Sequence, residues 1–539
     1  MSTRVNQPSI SEGWASPVHG SVKREWVWAL AWMAVVLSLT TIPYIVGYAV
    51  ETSEEKFFGA VFNRQDYAVH LATMQLGARG EWAYRMTFTS EAHEAAYVKL
   101  AYIFLGQVAR LMGMDLPVMY QVGRLVFGLA AGVAIYALLL INISELKVRR
   151  WALLIILLGS GLGWLQWLGG WLPQKDISPI DFWLIDGYVF FSLLTLPHFA
   201  AVIALLAGML AFFLHYLRKP NVWKAVAAGL CSVLILPIQP HSVLLGDLAL
   251  AGAVSGVLWQ RRKWVWSIVL AWMGICALQL PLFLYNLLVF RQPVWHEFMA
   301  QNVTLSPPWV YILWGFGLFW PLALIGAWDA LRRRDIAGIS ALVWVVGGLV
   351  LLYFPWNLQR RMLLGFTLPL GLLAALGLQA LYPRWSVKGG NMMSWLLVGL
   401  MSISSLYLSL GSGYFVTLHP DELYDPGPLV QGVDWLAEQA KDDDLVCAAE
   451  ATGQLVAART GLKVYLGHPI ETLDVERKAA EVKQFFSGVL PITWLQTAGC
   501  DWLVYGPYEK VLGDGVVGYS QVLKLRYRRE QVQVFEVGP

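Results

Sequence analysis

Apolar residues gather into eleven runs, near 26–50, 117–141, 151–170, 192–214, 222–238, 242–260, 264–290, 309–331, 336–354, 362–382 and 392–413. A helix of about 17–25 apolar residues crosses a bilayer. The pattern therefore predicts eleven membrane spans. The polar connections are short except for two, a first loop over 51–116 and a tail over 414–539. The first run lacks an A-x-A cleavage site and is too long for a signal-peptide core, so it reads as a retained anchor. No internal repeat is visible. The two halves of the apolar region do not resemble each other, which argues against a transporter built on inverted repeats.

Orientation follows from Lys and Arg in the short loops. One side carries seventeen, among them Arg4, Lys23 and Arg24, Lys147 to Arg150, Arg261 to Lys263 and Arg332 to Arg334. The other side carries four: Lys175, Arg291, Arg360 and Arg361. Segment 1–25 is thus expected in the cytoplasm, 26–413 in a plasma (inner) membrane, and 414–539 outside the cytoplasm. Composition agrees. Charged residues are 14%, against about 25% in soluble domains, and mean hydropathy is +0.54. That excludes a cytosolic enzyme or a disordered chain. A net charge of +3 gives no basis for nucleic acid as a partner, and 4 Cys make no disulfide scaffold.

In the tail, 414–427 reads as a Pro- and Asp-rich linker. Strand-like runs at 445–449, 463–467, 502–506, 523–529 and 532–537 then alternate with helical stretches at 428–441, 451–460, 474–487 and 491–499. This predicts a small α/β domain. The fold class is therefore a mostly α, polytopic helical membrane protein with a small C-terminal α/β domain outside the cytoplasm. Cys447 and Cys500 lie near strands of that domain and are candidates for a disulfide. Three motifs are set aside. Gly159-Ser-Gly-Leu-Gly-Trp164 lies inside a span and reads as helix packing. Asp442 to Asp444 precede a strand instead of following one and read as a solvated turn. The polar loop 467–472 reads as a turn that offers a contact point.

The first loop carries the first candidate chemistry. Residues 63–77 read as a helix, with Tyr67, Leu71, Met74 and Ala78 on an apolar stripe and Asp66, His70 and Thr73 on a polar one. Such a helix beside a membrane is expected to lie on its surface. Gly77 and Gly80 close it. Asn63 is a candidate N-cap, so Asp66 falls at the third helical position, where a carboxylate also favours the helix dipole. A second helix is expected after Ser90, carrying Glu91, His93, Glu94, Tyr97 and Lys99. These groups lack a tight ligand motif such as H-E-x-x-H, so no metal and no other resident cofactor is expected.

Further ionisable groups fall in the outer half of the apolar region. Arg360 and Arg361, after Gln359, break the charge rule, and a guanidinium fork matches phosphate oxygens. The bland alternative has both arginines snorkelling to headgroups. Arg124 lies in the second run, Asp247 in the sixth, His198 at the start of the fourth and His241 at the start of the sixth. This one-sided layout suits an enzyme acting at the outer face. A pump would want carboxylates through the whole thickness.

The order of these features resembles that of the bacterial GT-C membrane glycosyltransferases of the mannosyltransferase-like kind. The resemblance rests on the retained first anchor, the long first loop with Asp66-Tyr67-Ala-Val-His70, the late Gln359-Arg360-Arg361 and the outer α/β tail. It implies a catalytic base at Asp66 and a polyprenyl-phosphate sugar as donor. It also implies phosphate contacts from Arg360, Arg361 and Arg124, with His70, Glu91, Glu94, His198, His241 and Gln359 as positioning candidates. Many members carry paired acids here, whereas Asp66 has no adjacent acid. The acceptor would be a glycan, lipid or protein at the outer face. Two other readings stay open: a flippase or transporter of lipid-linked sugars, and a membrane-anchored glycan-binding protein.

Overall fold

In the computed structural model, residues 22–171, 177–384, 387–515 and 523–538 are described. Residues 1–21 of the predicted cytoplasmic segment, with Arg4, and Lys175 lie outside them, as do the side chains of Arg384 and Lys388. Among the described residues, seven helices are long and apolar enough to cross a membrane: Val22–Val50, Leu116–Asn142, Pro197–Arg218, Pro240–Arg261, Trp266–Val289, Gln359–Leu381 and Gly389–Leu418. Two further runs form bent pairs, Leu146–Leu158 with Gly163–Gly169 at 54° and Trp309–Phe316 with Phe319–Arg333 at 86°. The last two, Val222–Ile235 and Ile336–Leu352, are helical but shorter than a plain span. Each apolar run is thus helical, while by length and composition up to nine qualify as spans.

The chain forms two compact units. The first comprises the described parts of Met1–Thr41, Arg124–Asn286 and Thr304–Gly411. Its helices meet through small residues. A Cβ on Gly326 would stand 1.9 Å from the Leu373 carbonyl, and one on Gly377 would stand 2.1 Å from that of Leu322. Apolar helices in lipid gain little from burial, so close backbone approach supplies the packing. The glycine-rich run 159–164 is not continuous helix packing as expected. It is the break in the first bent pair. The Ser160 hydroxyl donates to the Met401 carbonyl at 2.6 Å, and the Leu162 N–H donates to the Trp314 carbonyl at 2.9 Å. Backbone freed from a helix in such surroundings must find partners, and these contacts supply them. A Cβ on Gly161 would lie 1.9 Å from the Gly315 carbonyl, so the two bent pairs touch through their backbones.

The second unit comprises Ile42–Gly123, Leu287–Val303 and Ser412–Pro539. First loop and tail therefore fold together. Strand β1 (Glu55–Phe57) from the loop pairs antiparallel with β2 (Tyr424–Pro426) from the tail, Phe57 opposite Tyr424. The tail's sheet holds β3 (Leu445–Cys447), β4 (Lys463–Val464), β5 (Trp502–Tyr505), β6 (Leu523–Arg529) and β7 (Val532–Val537), in the order β4-β3-β5-β7-β6. β3 runs parallel to β4 and β5, and β7 runs antiparallel to β5 and β6. Helices Gly427–Gln439, Glu450–Thr460, Val475–Phe486 and Thr493–Thr497 fall where periodicity placed them. Cys447 and Cys500 form a disulfide, with Cα atoms 5.8 Å apart.

Two expectations for the first loop are corrected. The helix Arg64–Ala78 forms, but it does not lie on a surface. Tyr67, Leu71 and Met74 of its apolar stripe and two of its three polar-stripe residues, His70 and Thr73, are buried. It is covered by the helix Leu100–Met112 and by Glu450–Thr460 of the tail. Gly77 does not close it but lets it approach Leu100–Met112, since a Cβ there would meet the Ile103 carbonyl at 2.2 Å. The second helix does not start after Ser90. Residues 91–98 are irregular, held by a bridge between Tyr84 and Ala96 and by the His93 ring, whose Nε2 accepts from the Met86 N–H at 2.9 Å. Side-chain bonds to backbone compete with helix here, and the helix begins only at Leu100.

Candidate functional site

Two groups of polar side chains stand out, one in each unit. In the second unit the centre is Asp66. Asn63, in a left-handed conformation at φ 49°, caps the helix by accepting the Asp66 N–H at 3.2 Å. Its side-chain amide donates back to Asp66 Oδ2. Asp66 Oδ1 lies 3.6 Å from His468 Nε2, and the side chain keeps 31% exposure at the head of an otherwise buried helix. Arg64, two residues earlier and so on the other side of the helix, is turned to Asp425 on β2 at 2.7 Å. Burial raises the Asp425 carboxyl above its ordinary value, although Arg64 and Tyr508 pull it down.

The other first-loop candidates are placed otherwise. His70 is buried, its ring stacked on Tyr102 at 4.0 Å. Glu91 pairs with the buried Lys478 of the tail at 2.7 Å. Burial pushes Glu91 up, but the bonds from Lys478 and Thr89 outweigh it and hold the carboxyl below its usual range. Burial lowers the Lys478 amine, opposed by Glu91. Glu94 is exposed, and its backbone carbonyl accepts from the Trp295 ring N–H at 3.1 Å. Glu91 thus ties the loop to the tail, and neither acid is adjacent to Asp66 in sequence. Asp442 and Asp443 are 77% exposed and face Arg79, Arg85 and Lys463, the solvated turn expected. Among the described residues no three His, Cys, Asp or Glu side chains gather as a metal-ligating group.

In the first unit, three short turns converge: Ile185–Gly187, Pro240–Ser242 and Gln359–Leu363. They bring Arg360 and Arg361 to Asp186, a carboxylate only 3% exposed. Arg360 Nε stands 3.7 Å from Asp186 Oδ2, and Arg361 Nη1 stands 3.4 Å from Oδ1. Arg360 lies over the Trp183 ring at 5.5 Å, and Arg361 over that of Phe199 at 6.0 Å. Both guanidiniums therefore face protein, not lipid as snorkelling requires. Gln359 Oε1 accepts the Ser306 N–H at 3.1 Å and its amide donates to the Phe354 carbonyl, which fixes the turn. His241 contacts Gln239 at 2.9 Å, within electrostatic reach of Arg361, and His198 packs beside Phe199.

Arg124 and Asp247 go elsewhere. Arg124 is fully buried and donates to Thr40, Thr41 and the Leu193 carbonyl at 2.8, 3.0 and 3.0 Å. Its guanidinium ties helices together, and we leave it out of the phosphate set. Asp247 accepts from Gln279 at 2.9 Å. Sequence reasoning missed Asp186 and the pairing of His468 with Asp66. The signal for Asp186 was weak, since it is one of three aspartates, with Asp176 and Asp181, in the outer connection 171–191.

No family model and no curated protein matches the sequence. Solved structures share its fold. The arabinofuranosyltransferase AftD from mycobacteria matches 94% of this chain and 40% of its own, at TM-score 0.55 and 13% identity. This chain thus spans about two fifths of AftD. ArnT from Cupriavidus metallidurans matches in its apo state over 96% of this chain and 100% of that chain, at TM-score 0.52 and 14% identity. ArnT bound to undecaprenyl phosphate matches over 94% and 99%, at TM-score 0.50 and 13% identity. The fold is that of the GT-C membrane glycosyltransferases, as the order of sequence features implied.

Proposed function

We propose that this chain is a glycosyltransferase that moves a sugar from a polyprenyl-phosphate donor to an acceptor hydroxyl at the outer face of the inner membrane. The observation that carries the reading is Asp66, a carboxylate left partly open at the head of a buried helix, with the Asn63 amide donating to it and His468 Nε2 at 3.6 Å. An ionised, solvent-facing carboxylate is what proton abstraction from a hydroxyl requires. Asp66 accepts that proton as the acceptor oxygen bonds to the anomeric carbon. The bond from that carbon to the phosphate oxygen breaks, and its electron pair leaves with the polyprenyl phosphate. Arg360 and Arg361 are assigned to the donor phosphate by their chemistry, since preorganised cations stabilise charge that develops on a leaving group.

Two observations support the outer face. The loop-charge asymmetry puts the tail opposite the cytoplasm, and the Cys447–Cys500 disulfide suits an oxidising compartment. Nucleotide sugars are cytosolic, so a donor used outside must be carried on lipid. The likeness to ArnT, a protein solved with undecaprenyl phosphate, supports the same donor class.

The test is Asp66→Asn. Asn at this position keeps the backbone cap from Asn63 and loses the base. Release of polyprenyl phosphate from synthetic short-chain polyprenyl-phosphate hexoses and pentoses, with native membrane lipids as acceptor, should fall about 10²–10⁴-fold. Melting should stay near wild type, because the lost dipole interaction is worth only about 0.3–1 kcal/mol. Wild-type turnover in the folded variant would return Asp66 to a capping role and end the proposal.

A further inference from the structure

We propose that His468 is the positioning residue for Asp66, a neutral ring whose single N–H is locked toward the carboxylate. The inference deepens the transferase reading and rests on Asp66 being its base. His468 stands in the loop after β4, in the second unit with Asp66. Its ring Nδ1 accepts two backbone N–H groups, those of Ile470 and Glu471, both at 3.0 Å. A ring nitrogen that accepts carries no proton, so in the neutral ring the proton sits on Nε2. Nε2 is the atom 3.6 Å from Asp66 Oδ1. Hydrogen bonds at catalytic groups are often this long before substrate binds and close in the complex.

The rest of the loop fixes the ring. The N–H groups of Gly467 and His468 donate to Thr472 Oγ1 at 3.2 and 3.1 Å. Phe88 meets the ring at 5.8 Å, and the His468 side chain is 4% exposed. A proton on Nδ1 would set one N–H against two others, so the loop holds this nitrogen as an acceptor. The ring therefore cannot pass Asp66's proton onward. Its role is to hold the carboxylate ionised and aimed, opposite the Asn63 amide. The charged neighbours on the surrounding elements are engaged elsewhere. Arg64 pairs with Asp425, Glu471 with Lys99 and Tyr84, and Glu450 lies 3.5 Å from the Gln65 amide. His70, one turn along the same helix, stacks on Tyr102.

Two substitutions separate positioning from loop structure. His468→Asn puts an amide oxygen where Nδ1 stands and keeps both backbone bonds, but it has no atom that reaches Asp66. His468→Gln can extend an N–H toward Asp66 but gives up the Nδ1 acceptor. The readout is polyprenyl phosphate release from the synthetic donors above, as kcat against pH. Losing a donor disfavours the charged carboxylate and raises its pKa. His468→Asn should therefore melt like wild type, lose about tenfold in kcat at neutral pH, and move its acid limb up by about one pH unit. His468→Gln should recover the acid limb despite a less stable loop. A wild-type rate and acid limb in His468→Asn would overturn the inference. So would nitrogen NMR of the wild-type ring showing a proton on Nδ1 at pH 7, a measurement that needs no variant. Asp66→Asn tells the two failures apart. If it is inactive while His468→Asn is normal, only the positioning role is wrong. If it is active, the base reading itself is wrong.

Discussion

Replacing Arg361 by Lys is the sharpest probe of the arginine pair, because the structure fixes what the change removes. Arg361 Nη1 lies 3.4 Å from the buried Asp186, and its side chain is 21% exposed. Lysine keeps the positive charge that Asp186 needs. It loses the planar fork, which alone could serve Asp186 and a phosphate oxygen together. One charge-assisted hydrogen bond is worth roughly 1.5–3 kcal/mol, so donor use should fall about 10- to 150-fold. Alanine is a poorer probe, since breaking a buried pair costs about 3–5 kcal/mol by stranding its partner. Alanine would then confuse lost folding with lost binding. The double variant Asp186→Asn with Arg361→Gln resolves this. It removes both charges and leaves no stranded carboxylate. If Arg361 serves only Asp186, the double variant should turn over synthetic polyprenyl-phosphate sugars like wild type. If it serves phosphate, the double variant should stay at least as impaired as Arg361→Lys. A rescued double variant would refute the phosphate role.

Three further outcomes follow from the same structure. The Glu91–Lys478 pair should stabilise the loop only while Glu91 is charged. Because its folded pKa is lowered, that stability is full above the ordinary glutamate value of about 4.3 and is lost as pH falls through the lower folded value. Hydrogen exchange across 84–99 should speed up there, and in Glu91→Gln it should be fast and flat with pH. Reducing the Cys447–Cys500 disulfide, with a sequence separation of 53, should cost the tail about 4 kcal/mol in a denaturant titration. A midpoint unmoved by reductant would show the bridge to be idle. Gly106→Leu should unfold the second unit, since a Cβ there would lie 2.0 Å from the Met74 carbonyl. Retained activity in that variant would contradict the packing described.

The sequence made local features legible and contacts between distant elements not. Helix 64–78, its Asn63 cap, the tail's five strands and both disulfide cysteines could be read because each depends on neighbours a few residues away. The surface placement of that helix failed for a definable reason. A polar stripe of His70 and Thr73 looks solvent-facing in one dimension. In three dimensions Thr73 bonds its own helix's Val69 carbonyl and His70 stacks on an aromatic ring. The bends at 159–162 and 317–318 were not legible, since they interrupt helices that remain apolar throughout and hydropathy does not register a bend. Asp186 was invisible because its meaning depends on Arg360 and Arg361, about 175 residues away in sequence. His468 was seen as part of a polar loop, but its tautomer can be argued only once Ile470 and Glu471 are in place.

The second unit also explains why a transferase base would sit on a buried helix. A general base must be held close to its productive geometry, and about 1 Å of misplacement can cost 10²-fold. A helix floating on a bilayer could not hold that tolerance. Here Gly77 and Gly106 bring the helix Arg64–Ala78 backbone to backbone against Leu100–Met112. The tail then engages first-loop residues one by one. Asp425 takes Arg64, His468 faces Asp66, Glu471 takes Lys99 and Tyr84, and Lys478 takes Glu91. Residues 67–74 of the helix are buried, and the first turn is left partly open with Asp66 in it. These contacts give a physical reason for the tail to fold in one unit with the first loop, and they hold the helix that carries Asp66.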